Sequence, residues 1–211
     1  MSKSADALRD NDLRFAELAR GITATQWAEP SLCAEWTNHD VLAHLVIGYS
    51  VAMTAIAAGM VRHRGSFNAA NTELAHRLAA ERDPGELIDE FTALALKPRG
   101  IGRVFPRRLL LGDHVIHELD ISYALGNESA IPTAAIAAVL DTQVQVRNPF
   151  VPAAARARAL NLRATDAQWS RHADGPTVSG RAAHLASVLA GRPWALPHLT
   201  GDGVGVLTSR V

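Results

Sequence analysis

The chain has 211 residues, 48% of them apolar, enough for one large domain or two small ones with a sizeable core. Twenty-one Lys and Arg balance 21 Asp and Glu, and aromatic residues make up 5%, so neither a basic surface for nucleic acid or anionic lipid nor a base-stacking platform is expected. The single cysteine, Cys33, excludes an internal disulfide framework and fits a reducing, cytoplasmic compartment, while nine histidines are many for this length.

In chain order, "MSKSADALRDNDLRF" lacks the apolar core of a signal peptide, and its periodicity predicts a helix over residues 4–20, ended by Gly21. "ATQWAEPSLCAEW" reads as a loop. A second helix opens at Thr37, where Asp40 three positions on completes a capping box. Residues 69–82 predict a third helix. Asp83 then caps a segment that starts at Pro84 and runs to Leu96, before Pro98. A fourth helix fits residues 107–125, closed by Gly126, and "AIPTAAIAAVLDTQVQV" suggests a connecting fifth. After Pro149 the texture changes. "ALNLRATD" alternates like a strand, "TVSGRAAHLASVLAGRP" reads as a short helix ending at Gly191, and "GVGVLTSRV" as a final strand. The expected organisation is a helical domain at 1–148 and a small α+β domain at 149–211.

Residues 41–60 carry no Asp, Glu, Lys or Arg and are long enough to span a bilayer. No basic cluster or aromatic belt flanks them, and the rest of the chain is patterned for soluble helices. A helix apolar all round also suits the centre of a bundle, and this is the preferred reading, without a membrane. His44 near its start is then either a hydrogen-bonded core histidine or a metal ligand, depending on partners.

"LLLGDHVIHELDISYALG" supplies candidate partners. Asp113 and His117 are four apart and share a helix face; His114 and His117 are three apart and also converge; Asp120 continues the stripe. A carboxylate and an imidazole one turn apart grip a single ion in many metalloproteins, and a histidine from a facing helix would complete a three-ligand, open site. The same pattern suits a solvated polar face, and spacing alone does not choose.

Longer stretches carry a resemblance. "WAEPSLCAEWTNHDVLAHL" and "DHVIHELDISYALG" resemble two signatures of the mycothiol-dependent maleylpyruvate isomerase family, and "RATDAQWS", "VSGRAAHLASVLAGRP" and "LTGDGVGVL" are similar to its C-terminal domain. The resemblance implies a mainly α fold: a DinB-like four-helix bundle followed by a small α+β, sterol-carrier-like domain. It implies His44, Asp113 and His117 as metal ligands, zinc as the usual ion (nickel or cobalt also suit the donors), and mycothiol as thiol cosubstrate. The family pattern favours Glu where this chain has Asp113. Aspartate is one methylene shorter, which leaves His114 as an alternative ligand.

The implied chemistry is activation of a low-molecular-weight thiol as thiolate for attack on a small electrophile such as maleylpyruvate, ending in isomerisation or S-transfer. Asp120 matches the family pattern as a residue orienting a ligand histidine, whereas Glu118 points to another face, expected to be solvated. Arg181 is the preferred cationic contact for a substrate carboxylate, with Arg192 and Arg77 behind it. Cys33 is read as a small packed residue, and the four tryptophans as loop packing. The expected partners are a small substrate and a thiol, with the chain a monomer or homodimer. The alternatives are a protein that binds metal or an apolar ligand without turnover, and a hydrolase using zinc-bound water.

Overall fold

The computed structural model describes residues 3–148 and 151–211, with Lys3 by its backbone only. The change of texture expected at Pro149 lies outside them. The chain divides into two compact units, Met1–Gly126 and Asn127–Val211. The division falls after Gly126 rather than at 148/149, because the expected connector helix packs against a helix of the second unit.

In the first unit, α1 (Lys3–Ala19), a short α2 (Ala24–Ala28), α3 (Asn38–Ser50), α4 (Met53–Arg62), α5 (Phe67–Glu81), α6 (Pro84–Leu96) and α7 (Arg107–Ala124) follow one another. Local chemistry sets many of their ends. Thr37 and Asp40 form the expected capping box, Asp83 and Glu86 form another with Pro84 in the first turn, and Thr23 and Gln26 build a third within what reads from sequence as loop. Each of α1, α3, α6 and α7 packs on two of the others, in the ring α1–α6–α3–α7, so these four make the bundle; α5 lies outside it on α3 and α4. Its centre takes one ring from each bundle helix. Phe15 meets Phe91 edge-on at 6.0 Å, and Tyr49 lies 4.9 Å from His114, with Phe91 against both.

The apolar stretch 41–60 is not one helix. Nine residues of α3 are buried, among them Val41, Leu42, Leu45, Val46 and Ile47, but the helix stops at Ser50 and α4 restarts at Met53. No proline or glycine stands at the break. The Ser50 hydroxyl donates back to the Val46 carbonyl, and the loop before α7 takes what the helix gives up: the N–H groups of Arg99 and Ile101 donate to the carbonyls of Tyr49 and Val51. That loop comes so close because Gly100 and Gly102 carry no side chain. A Cβ at Gly100, where φ is +48°, would stand 2.3 Å from the carbonyl oxygens of Ser50 and Val51. Gly100→Ala should therefore cost about 1–3 kcal/mol, read as a lower urea midpoint at unchanged slope. A midpoint equal to that of the native chain would refute the close approach. Among the described residues no helix is long and apolar enough to cross a membrane.

The second unit contains α8 (Thr133–Gln145), α9 (Ala153–Arg156), β1 (Asn161–Ala164), β2 (Ser170–Arg171), β3 (Thr177–Gly180), α10 (Ala182–Leu189) and α11 (Val204–Thr208). The sheet order is β2–β1–β3, antiparallel across β1/β2 and parallel across β1/β3, with Leu162 opposite both Arg171 and Val178. Helices α8 and α10 pack together, burying Ile136, Val139, Leu140, Leu185, Val188 and Leu189. The strand at "ALNLRATD" is present. "TVSGRAAHLASVLAGRP" is instead a strand followed by a helix, Arg181 standing at the junction. "GVGVLTSRV" holds the helix α11 and no strand: its Gly-Val alternation mimics β period, but the bridge of Ser179 to Thr200 ends before it, and of this stretch the Gly203 N–H reaches β3, at the Thr177 carbonyl. The chain then turns at Gly201, φ +109°, and buries Leu207 from a single helical turn. The mainly α class with a small α+β unit stands.

A candidate metal centre

The capping box at Thr37 starts α3 so that His44, two turns on, lies near the N-terminal half of a helix packed against α7. The i, i+4 spacing on α7 puts Asp113 and His117 on the facing stripe. His44 Nε2 lies 3.2 Å from Asp113 Oδ2, and His117 Nε2 lies 3.7 Å from Asp113 Oδ1. The donor atoms of all three residues lie within 4.8 Å of one another. Ligands at 2.0–2.1 Å around a tetrahedral ion stand roughly 3.3 Å apart, so small side-chain shifts would close this triad on a metal.

The second nitrogen of each histidine is already engaged. His44 Nδ1 lies 3.2 Å from Asn71 Oδ1 on α5, and His117 Nδ1 lies 3.1 Å from Asp120 Oδ2 one turn further along α7. Both partners are oxygens, so each Nδ1–H donates, and each Nε2 faces an Asp113 oxygen. A metal ion would take the place of a proton on that Nε2 side, with the rings oriented by an amide and a carboxylate behind them.

The electrostatics agree with the geometry. Burial lowers the His117 imidazole below its ordinary value more than Asp120 and Asp113 raise it, so its neutral form is favoured. Burial would raise the Asp113 carboxyl, but His44 outweighs it by charge and hydrogen bond, with His117 adding to the effect, and holds the acid well below the usual carboxylate range. His44 and His117 are 9% and 8% exposed, whereas the Asp113 side chain keeps 37% of its surface. The triad is thus buried on the imidazole side and reachable past the carboxylate.

Trp36 closes one flank. Its ring stacks on His117 at 5.9 Å and 23°, and lies 5.1 Å from His44. It is positioned by a compact loop in which Pro30 bridges Thr37, the Ser31 N–H donates to the Trp36 carbonyl, and the Leu32 N–H reaches the Asp120 carbonyl.

The structure thus brings together His44, Asp113, His117 and Asp120. His114, the alternative ligand, turns the other way, with Nδ1 3.0 Å from both oxygens of Asp12 on α1. Glu118, expected to be solvated, is buried and chelated by Arg14 at 2.6 and 2.7 Å. The cause is plain: α1 and α3 pack on α7, and Arg14 of α1 covers the side that its polar residues suggested was open. Arg181 belongs to the second unit, half exposed and paired with Glu128 and Asp166. Arg192 donates to the Ala190 carbonyl, and Arg77 lines a shallow groove with Ile47, Ser50 and Leu74. Asn71 and Trp36 are site residues that sequence reasoning missed. Asn71 lies 27 positions from its partner with no spacing signal, and only its place beside the cap Thr37 marked Trp36.

Two comparisons bear out the resemblance seen in the sequence. A family profile described as the mycothiol maleylpyruvate isomerase N-terminal domain matches residues 8–97. Two solved structures share the fold: the mycothiol-dependent maleylpyruvate isomerase, at 18% identity, TM-score 0.53 and 96% of each chain, and its mutant with one histidine changed to alanine, at TM-score 0.52 and the same identity and coverage. No curated protein matches the chain.

Proposed function

We propose that this chain, whose residues 8–97 match the mycothiol maleylpyruvate isomerase N-terminal domain, is a metal-dependent enzyme of the cytoplasm. It uses a low-molecular-weight thiol, mycothiol, to isomerise or thiolate a small electrophile of the maleylpyruvate type. The observation that carries this is the pair of histidines whose Nδ1 atoms are tied to Asn71 and Asp120 while their Nε2 atoms face Asp113.

His44, Asp113 and His117 would hold one divalent ion, zinc by preference, leaving a coordination position open. When bound, the ion would supply the positive charge that keeps a coordinated thiol deprotonated at neutral pH. The protein residues do the rest. Asp120 fixes the His117 ring and raises its basicity, Asn71 does the same for His44, and Trp36 covers both rings and restricts water.

The test is consumption of maleylpyruvate by the zinc-loaded protein with and without mycothiol. Turnover should require both zinc and the thiol. Turnover of an activated ester with zinc and no thiol would replace this reading with a hydrolase. Absence of any turnover, together with a melting point raised by lipids and not by thiols, would replace it with a binding protein.

A further inference from the structure

Cys33, read from the sequence as packing, stands in a second donor set. Its Sγ, a His117 ring nitrogen and an Asp120 carboxylate oxygen all lie within 4.8 Å of one another. The loop is built to hold it there. The Cys33 N–H donates to the Ser31 hydroxyl, the Cys33 carbonyl accepts from the Trp36 N–H, and Glu35 adopts φ +66° to complete the turn. The adjacent Leu32 N–H fastens the loop to the Asp120 carbonyl. His117 therefore lies between two sets, with Nε2 toward Asp113 and Nδ1 toward Asp120.

We propose that Cys33, His117 and Asp120 form a second metal position, selective for soft divalent ions of the zinc and cadmium class and filled in exchange with the His44–Asp113–His117 position. The proposal rests on the first triad being a metal site, since the two share His117. Two physical differences separate them. The second set offers a thiolate and a carboxylate, whose two negative charges neutralise a divalent ion. The first offers a single carboxylate and leaves a net positive charge. Burial favours the neutral assembly. Thiolate also selects soft ions, whereas a set of two imidazoles and a carboxylate accepts harder ones as well. Filling the second position releases the cysteine proton to water and moves the His117 proton from Nδ1 to Nε2, so a soft ion there takes away the Asp120 contact that orients His117. Excess soft metal would thus be an inhibitor acting through the protein's own site.

Because Cys33 is the only cysteine in the chain, any thiolate-to-metal absorption belongs to it. The experiment is titration of the full chain, of His44→Ala and of Cys33→Ser with cadmium, reading ultraviolet thiolate-to-cadmium absorption and the rate of Cys33 alkylation by iodoacetamide. His44→Ala should take up cadmium with the thiolate band, Cys33→Ser should show none, and cadmium should protect Cys33 from alkylation in the native chain. Circular dichroism confirms that the variants fold. If His44→Ala takes up no cadmium, or takes it up without the band and without protection of the thiol, the second position does not exist. In that case zinc bound by the native chain without thiolate character leaves the first triad standing. No metal uptake by the native chain overturns both.

Discussion

Replacing His117 by alanine should abolish stoichiometric metal binding, because this residue alone serves both donor sets. Zinc content measured by plasma mass spectrometry on desalted protein should fall from about one ion per chain to nearly none, one open tetrahedral site being what the triad offers. Zinc should also stop raising the melting point, since stabilisation by a ligand follows its affinity for the folded state. Asp120→Asn is the graded control: it leaves all three ligands of the first set and weakens the hydrogen bond that orients His117, so metal affinity should drop about 10–100-fold rather than vanish. His44→Ala should lose the zinc of the first set, and any ion it retains should carry thiolate absorption. Full zinc occupancy in His117→Ala would show that the triad is only a set of neighbours.

Asp12→Ala should be among the most destabilising single changes in the first unit. Asp12 is fully buried on α1 and accepts from three directions: the Tyr49 hydroxyl on α3, His114 Nδ1 on α7 at 3.0 Å, and the neighbouring Asn11 amide. Burial works against charge on His114, yet the Asp12 carboxylate more than compensates and raises it above the ordinary imidazole value. The carboxylate in turn makes the Tyr49 hydroxyl still harder to ionise than burial alone would. Removing the shared acceptor leaves three buried donors and a cavity. Breaking a buried pair in this way costs about 3–5 kcal/mol out of a total stability of about 5–15 kcal/mol. The melting midpoint followed by circular dichroism should fall by roughly 6–20 °C. Tyr49→Phe, which removes one donor and leaves the carboxylate its other partners, should cost only about 1–3 kcal/mol. A midpoint for Asp12→Ala within a degree of the native one would mean that the network adds nothing to stability.

Local chemistry is what one sequence displays best, and the helix starts at Thr37 and Asp83 were legible for that reason: a capping box is satisfied within four residues. The i, i+4 pair on α7 was legible too, because helical spacing alone puts Asp113 and His117 on one stripe. The residues within that stripe were harder to sort. His114, Glu118 and Asp120 are all buried, since α1 and α3 pack on α7 and leave little of it to water. Periodicity can mark a polar face, but it cannot say whether that face meets water or other polar groups. Here Asp12 and Arg14, on a helix about a hundred positions earlier, receive His114 and Glu118. The helical class, the main caps and the Asp113–His117 pair follow from short-range geometry, whereas His44 joined that pair through the family resemblance. Packing between distant segments sets where the apolar run 41–60 breaks, turns His114 away from the triad, and brings Asn71, Trp36 and Cys33 around His44 and His117. Each of those depends on a segment distant in sequence, and its energy comes from burial and hydrogen bonds that exist only once the helices have packed.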